Sequence, residues 1–238
     1  KDTRSVSDGI PPFLDRRQQK PLVGTYTMLS TYDDICPHQA FRRYVTKDIP
    51  YKSTPEMEWG NKVHEAMEHR VAHGEVLPND MAQWESFASA FDGRGAKTEL
   101  KLGVTALGNP CDFFADNVRF RGKVDVWIGN GTVGYIADWK TGGSKYEKPF
   151  ELEVGAVLAQ ARFPEIRTIV GNYFWLKENR VGKQYDISNT TATWQRMNTI
   201  FGKVDVDRQR GNAEKRQGPL CSWCDVRDCE HNKNPKPP

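Results

Sequence analysis

The chain predicts a mixed α/β fold, a central sheet flanked by helices, on three observations. Two strand-like runs, Gly122 to Gly129 and Thr132 to Lys140, are separated by Asn130-Gly131, the strongest two-residue hairpin signal. An apolar stripe at helical spacing, Trp59, Val63, Met67 and Val71, marks a helix over Pro55 to His73. Beyond the hairpin, helix and strand patterns alternate: a helix over Phe150 to Phe163, a strand over Thr168 to Leu176, a short strand near Gln184 to Ile187, and a helix from Thr191 to about Arg210.

The remaining elements follow in order. Lys1 to Gly24 is polar and proline-bearing, an extended arm with little structure of its own. Helical signals cover Leu29 to Tyr44 and Asn79 to Phe91, and strands are expected over Thr98 to Val104 and Asn117 to Phe120. In the last helix Trp194, Met197, Phe201 and Val204 recur at helical spacing and read as core. Asn232 to Pro238 is expected to lack structure, which leaves 25–231 as a single domain.

Composition excludes several classes. With 238 residues and 37% apolar content, no run approaches membrane-spanning length, and with no secretory signal the expected location is the cytoplasm. A formal charge of +3 is too small to argue for nucleic acid by itself. Local basic clusters are candidates for phosphate contacts: Arg42-Arg43, Arg119 with Arg121 and Lys123, Lys177 with Arg180 and Lys183, and Arg208-Gln209-Arg210. No Gly-rich phosphate loop of the G-x-x-x-x-G-K-[ST] type occurs, so any motor would be a separate protein.

The hairpin carries the chemistry. With Gly129 opposite Thr132, Val126 faces Tyr135, Asp125 faces Ile136 and Lys123 faces Asp138. One face is then Val124, Val126, Ile128, Val133, Tyr135, Ala137 and Trp139, a core-seeking surface; the other carries Lys123, Asp125, Trp127, Ile136, Asp138 and Lys140. Two carboxylates on a diagonal of roughly 7 Å, with an ammonium beside them, suit a hard divalent cation such as Mg²⁺ or Mn²⁺. Ordinary ion pairs on a solvated sheet face would give the same pattern, and the residues alone leave both readings open.

Gly122-Lys123-Val124-Asp125 followed by Asp138-Trp139-Lys140-Thr141-Gly142 resembles the G-x-x-D and D-x-K-T-G blocks of the PD-(D/E)XK nuclease superfamily, in its RecB-like and Cas4-like branch, phage-encoded exonucleases included. Trp59-Gly60-Asn61-Lys62-Val63-His64-Glu65 is similar to the upstream G-x-x-H helix block. The resemblance implies a restriction-endonuclease-like fold and a Mg²⁺- or Mn²⁺-dependent deoxyribonuclease, an exonuclease of DNA recombination, repair or replication. It implies Asp125, Asp138, Lys140 and His64 as catalytic residues. It further implies His64, Asp125, Asp138 and the Trp139 backbone carbonyl as metal ligands, with Glu99 as a further candidate. DNA would be the partner, with a separate helicase or recombinase beside it, and Arg42, Arg43, Arg121, Lys123 and Glu151 would contact substrate.

Outside the resemblance, His64 is a histidine on a helix face, and Gly60 one turn earlier lets that helix approach a neighbour closely. The chain departs from the family at the Q-L-x-x-Y helix, where Glu151 takes the glutamine position and Gly155 the tyrosine position. That departure keeps two alternatives in view: a catalytically idle DNA-binding or assembly module, and a structure-specific endonuclease.

Cysteines form a second constellation. Cys36-Pro37 lies near the start, and Cys221-x₂-Cys224-x₄-Cys229 lies almost two hundred residues later; Cys111 stands apart in a loop or strand edge. In a subset of the same branch this one-plus-three split holds a structural [4Fe–4S] cluster joining the chain ends, so the resemblance implies a cysteine-rich terminal clasp of Cys36, Cys221, Cys224 and Cys229. The tail alone offers a rival, Cys221, Cys224, Cys229 and His231 as a zinc site. Disulfides are disfavoured by the odd count and the absence of a secretory signal.

Overall fold

The computed structural model describes residues 21–49 and 52–234. Its first elements are short and helical: α1 (Tyr26–Ser30), a π-helical turn (Thr31–Ile35), α2 (Pro37–Ala40) and a second π-helical turn (Phe41–Val45). Cys36 interrupts this series with extended backbone (φ −159°, ψ 119°), as expected of a residue before proline. The expected helix over Leu29 to Tyr44 therefore starts earlier and is broken at the cysteine. The arm expected over 1–24 lies outside the described residues up to position 20. Its last residues are anchored, because Gly24 bridges Phe120 and exchanges hydrogen bonds with Arg119 and Arg121 at 2.9 and 3.0 Å.

Helix α3 (Pro55–His73) has the predicted bounds. Thr54 caps its first turn, Pro55 supplies a preset φ at the start, and Gly74 ends it in the left-handed conformation (φ 72°). A 3₁₀ turn (Ala82–Trp84) and α4 (Glu85–Ser89) follow, shorter than the helix expected over Asn79 to Phe91. Strands β1 (Lys97–Thr105), β2 (Pro110–Cys111), β3 (Val118–Asn130) and β4 (Val133–Lys140) come next. They precede α5 (Phe150–Arg162), β5 (Thr168–Trp175), β6 (Arg180–Val181), β7 (Tyr185–Asp186) and α6 (Thr190–Arg210).

The sheet runs β2-β1-β3-β4-β5-β6, with β7 also on β5. Every pairing is antiparallel except β4 with β5, which α5 connects as a parallel crossover. Helices cover both faces. On one, α1, α5 and α6 bury Met28, Leu29, Phe150, Leu158, Met197 and Phe201 with Val124, Trp127 and Ile136 of the sheet. On the other, α3 and the Trp84–Ala88 segment bury Val63, Met67, Trp84 and Ala88 with Val126, Ala137, Trp139 and Phe174. Among the described residues no helix is long and apolar enough to cross a membrane.

The hairpin differs from expectation in two ways. Its turn is Gly131-Thr132, with Gly131 at φ 56°, so Gly129 pairs with Gly134 and Val126 with Ala137, a register two residues from the predicted one. A two-residue shift preserves side-chain parity, so Asp125 and Asp138 still belong together. Strict alternation would also place Val124 with Val126, yet Val124 packs with Trp127 and Ile136 on the opposite face. The alternation breaks at Asp125, opposite which Glu99 of β1 takes a positive φ of 45°, a conformation unusual outside glycine.

The two ends of the chain meet. His38 N donates to Glu214 O (2.9 Å), Arg216 donates to Asp33 O (2.6 Å), and the tail returns Asp225 to Arg43 (2.6 Å) and Asp228 to Arg42 (3.0 Å). The tail expected to lack structure from Asn232 begins later: Asn232 is buried and donates to Cys224 O and Val226 O. Residues 235–238 lie outside the described region.

Candidate active site

The site opens where the hairpin splays. The β3–β4 ladder ends at Val126–Ala137, one step before Asp125 and Asp138; from there β3 stays with β1, and β4 stays with β5 as far as Lys140–Trp175. Backbone groups released by the fork are partly reclaimed by side chains, since Trp139 N donates to Asp125 Oδ2 at 2.9 Å. In an extended strand the carbonyl of a residue points the same way as its N–H, so Trp139 C=O also faces the β3 side. The Trp139 ring is buried on the opposite face, against Phe91 and Phe174.

Helix α3 brings His64 to the fork, with Nδ1 3.3 Å from Asp125 Oδ2. Gly60, one turn earlier, lies close under Thr141, where an added Cβ would stand 3.4 Å from its hydroxyl. Ligand atoms of His64, Glu99 and Asp125 lie within 4.8 Å of one another. Asp138 stands outside this set of three, in a 2.7 Å ion pair with Lys140, whose Nζ also reaches Glu151 Oε2 at 2.6 Å. The Lys140 contact is angled away from good hydrogen-bond geometry, leaving the buried Asp138 Oδ1 without a well-formed partner.

Electrostatics reflect crowded negative charge. Burial pushes the Asp138 carboxyl well above the usual carboxylate range, and Glu151 and Asp125 add to the rise against the opposing pull of Lys140. Burial alone would discharge Lys140, yet Asp138 and Glu151 together keep it protonated, with a raised pKa. His64 is likewise opposed by burial and raised overall by Asp125, then Asp138. Lys123 pairs with Glu99 at the rim.

His64, Glu99, Lys123, Asp125, Asp138 and Glu151, with Lys140 held behind Asp138 and Glu151, line a cavity of about 780 Å³ that also receives Asn61, Glu65 and Glu68 from α3, Arg121 and Phe113, and Thr25, Tyr26 and Thr27 from the N-terminal segment. The structure thus brings together His64, Glu99, Arg121, Lys123, Asp125, Asp138, Lys140 and Glu151. Arg42 and Arg43 are the corrections: they do not reach the cavity, because their guanidinium groups are held by Asp48, Asp228 and Asp225 beside the chain's tail. Arg119 is also drawn away, to Asp205 and the Phe201 ring.

Sequence reasoning missed Tyr26. It stands edge-on to Phe150 (5.9 Å between centroids), and burial, then Glu151, raises its pKa. No periodicity in Thr25-Tyr26-Thr27 marks it, since its position depends on the Gly24–Phe120 bridge. Gly155, where the resemblance leads one to expect a tyrosine, lets α5 close on the sheet: an added Cβ would stand 3.4 Å from both Ile136 and Val124.

The four cysteines of the second constellation, Cys36, Cys221, Cys224 and Cys229, line one cavity of about 220 Å³ together with His231; Cys111 sits apart on β2. All five are free thiols. Arg216 N and Gly218 N donate to Cys36 Sγ (3.4 Å) and Cys221 Sγ (3.3 Å).

No family model and no curated protein matches this chain. Solved structures do share its fold, among them these two. One is a protein named SSO0001, 15% identical over 90% of this chain and 88% of its own, with a TM-score of 0.51. The other, from Eubacterium rectale, bears the name "Putative exonuclease"; it is 11% identical over 100% of this chain and 96% of its own, with a TM-score of 0.53. At these identities the likeness establishes a shared fold, a mixed sheet between helical layers.

Proposed function

We propose that this protein is a divalent-metal-dependent deoxyribonuclease of the PD-(D/E)XK type that works from DNA ends. The observation that carries this reading is the convergence of His64, Glu99 and Asp125 within 4.8 Å, across a fork from Asp138 and Lys140. The donor set is hard, carboxylate oxygen and imidazole, and it fits Mg²⁺ or Mn²⁺. The poorly satisfied Asp138 Oδ1 fits a nearby cation as well. His64, Glu99, Asp125, Asp138 and the Trp139 carbonyl would hold the ion, which when bound supplies Lewis acidity at the phosphoryl group and a water acidic enough to react near neutral pH.

The chain's own residues supply the rest. Trp139 N–H and His64 fix the Asp125 carboxylate. Lys140, kept cationic by two carboxylates, places positive charge where a phosphoryl oxygen gains negative charge in the transition state. Arg121 and Lys123 line the approach and hold the backbone without reading bases. The name borne by the Eubacterium rectale structure supports end-directed cleavage over cutting within a strand. Gly155 is what favours an idle binding module, since α5 carries no tyrosine there; Tyr26, entering the same cavity from α1, supports a working site.

End-labelled linear DNA, single- and double-stranded, incubated beside a closed circle with Mg²⁺, Mn²⁺ or EDTA, tests the reading, with Asp138→Ala as control. Metal-dependent loss of the linear substrates alone is expected; cutting of the circle would make the protein an endonuclease, and binding without cleavage would make it an idle module.

The cysteine-rich clasp belongs to the same proposal. Tetrahedral zinc, with Zn–S near 2.3 Å, needs sulfurs about 3.8 Å apart. Among the described residues no three cysteine or histidine ligand atoms come within 4.8 Å, although Cys36, Cys221, Cys224 and Cys229 surround one cavity. The meeting of Cys36 with the three tail cysteines around one cavity favours a [4Fe–4S] cluster with four thiolates over zinc held by the tail and His231. Protein purified without oxygen is expected to be brown, to absorb at about 400 nm and to contain iron; colourless protein with stoichiometric zinc would reverse the assignment.

A further inference from the structure

Between β2 and β3 the chain carries two adjacent phenylalanines with opposite fates. Phe113 lines the cavity, whereas Phe114 is 74% exposed. Scattered surface phenylalanines need no explanation, but this one is held in place. The two rings stand edge to face (4.9 Å, 79°), and the Arg121 guanidinium lies 4.8 Å over Phe113 and 5.3 Å over Phe114. Arg121 also donates to Phe113 O at 3.3 Å, tying loop and strand together. A large apolar ring is thus displayed against Phe113 and Arg121, both of which line the cavity that Asp125 and Asp138 also line.

The strands beside it place like charges together. In the β1–β3 register Lys101 stands opposite Lys123, and although Glu99 pairs with Lys123, Lys101 and Arg121 add positive charge on the same two strands, available to a polyanion. A rigid aromatic ring next to a run of cations matches the chemistry of single-stranded nucleic acid, whose unpaired bases offer π faces and whose backbone offers phosphates. In a duplex those faces are already stacked on one another.

We propose that Phe114, braced by Phe113 and Arg121, stacks on an unpaired nucleobase and thereby directs single-stranded ends into the cavity. The inference rests on reading that cavity as a nucleic-acid site and adds its substrate class. It makes Phe114 a residue of strand selection, acting on binding ahead of the chemical step.

Fluorescence anisotropy with Ca²⁺ in place of Mg²⁺ tests it, using a labelled oligothymidylate and the same strand made abasic over its terminal nucleotides. Phe114→Ala is expected to weaken the base-bearing strand by about 5- to 100-fold, to leave the abasic strand unchanged, and to be rescued by Phe114→Trp. Equal weakening of both strands, no weakening of either, or no rescue by tryptophan overturns the proposal. Mn²⁺-dependent hydrolysis of bis(p-nitrophenyl) phosphate by the unaltered protein, a substrate without a nucleobase, is measured alongside. Its absence would count against the nuclease reading, whereas the anisotropy series judges the stacking surface without any cleavage.

Discussion

The fork between β3 and β4 and the cavity between the two terminal segments are both lined by groups able to hold a cation, and they are built in opposite ways. At the fork, Asp125 and Asp138 are thirteen residues apart in one hairpin, and their positions follow from backbone pairing. At the ends, Cys36 meets Cys221, Cys224 and Cys229 only because the whole fold intervenes. At the fork, burial, with Glu151 and Asp125 adding to it, drives Asp138 toward its neutral form, a cost borne by a site. The ends offset their charges, pairing Arg42 and Arg43 with Asp228 and Asp225. The contrast separates chemistry from fastening, and each can be disturbed without the other.

The largest expected effect is on turnover alone. Asp138→Asn should lower cleavage by about 10³-fold, several kcal/mol of transition-state stabilisation, while the melting temperature holds or rises because a crowded charge is gone. Steady-state kinetics and thermal unfolding on one preparation check both halves; a fall in melting temperature would break the separation. Next comes Cys36→Ala, which would open the proposed clasp and with it the closure of a very long loop. It should cost about 3 kcal/mol, a drop of about 6–12 °C in melting temperature, with kcat preserved below the transition. Loss of kcat in folded protein would show that the two regions act as one.

A pH effect sharpens the same distinction. Tyr32 joins the N-terminal helices to α6 by donating to Asp207 at 2.5 Å, and burial, then Asp207, holds its pKa well above the ordinary tyrosine value. An unfolded tyrosine loses its proton near pH 10, so above that pH the unfolded chain binds fewer protons than the folded one. Stability should then fall as pH rises, by up to about 1.4 kcal/mol per pH unit for this one group. Tyr32→Phe should flatten that decline in urea unfolding at pH 8 and pH 10.5. The smallest expected change is Gly155→Ala: its Cβ meets Ile136 and Val124 at ordinary contact distance, so the helical gain of about 0.5–1 kcal/mol should appear as slightly higher stability. A marked loss would mean that α5 has less room over the fork than the geometry allows.

Legibility in the sequence followed the same division. The stripe Trp59, Val63, Met67 and Val71, with Thr54, Pro55 and Gly74 at its ends, gave α3 its bounds, because caps and periodicity are local. The hairpin was legible in kind but two residues off in register, since Asn-Gly and Gly-Thr turns compete within one tetrapeptide. Parity survived that error, and with it the pairing of Asp125 with Asp138. The face of Val124 was illegible, because the break in alternation comes from the positive φ of Glu99 on another strand. Arg42 and Arg43 looked like phosphate contacts because Asp225 and Asp228 lie more than 180 residues away. Tyr26, at the start of α1, and Phe113, in the loop between β2 and β3, gave no signal, because only tertiary contacts decide how each reaches the cavity.

The fork also governs which changes of length the gene can tolerate. Strand β4 is held along all of Val133 to Lys140 by its parallel partner, and as far as Ala137 by the hairpin as well, so its residues cannot slide. Asp138 and Lys140 share one parity and Trp139 the other. A single codon inserted within β4 would turn both charged groups toward the Phe91–Phe174 side and drive an indole into the cavity. The same codon inserted at Gly131-Thr132, where an added Cβ on Gly131 would meet nothing within 4 Å, only lengthens a turn. Insertions and deletions should therefore be purged from β4 and accumulate at its turn.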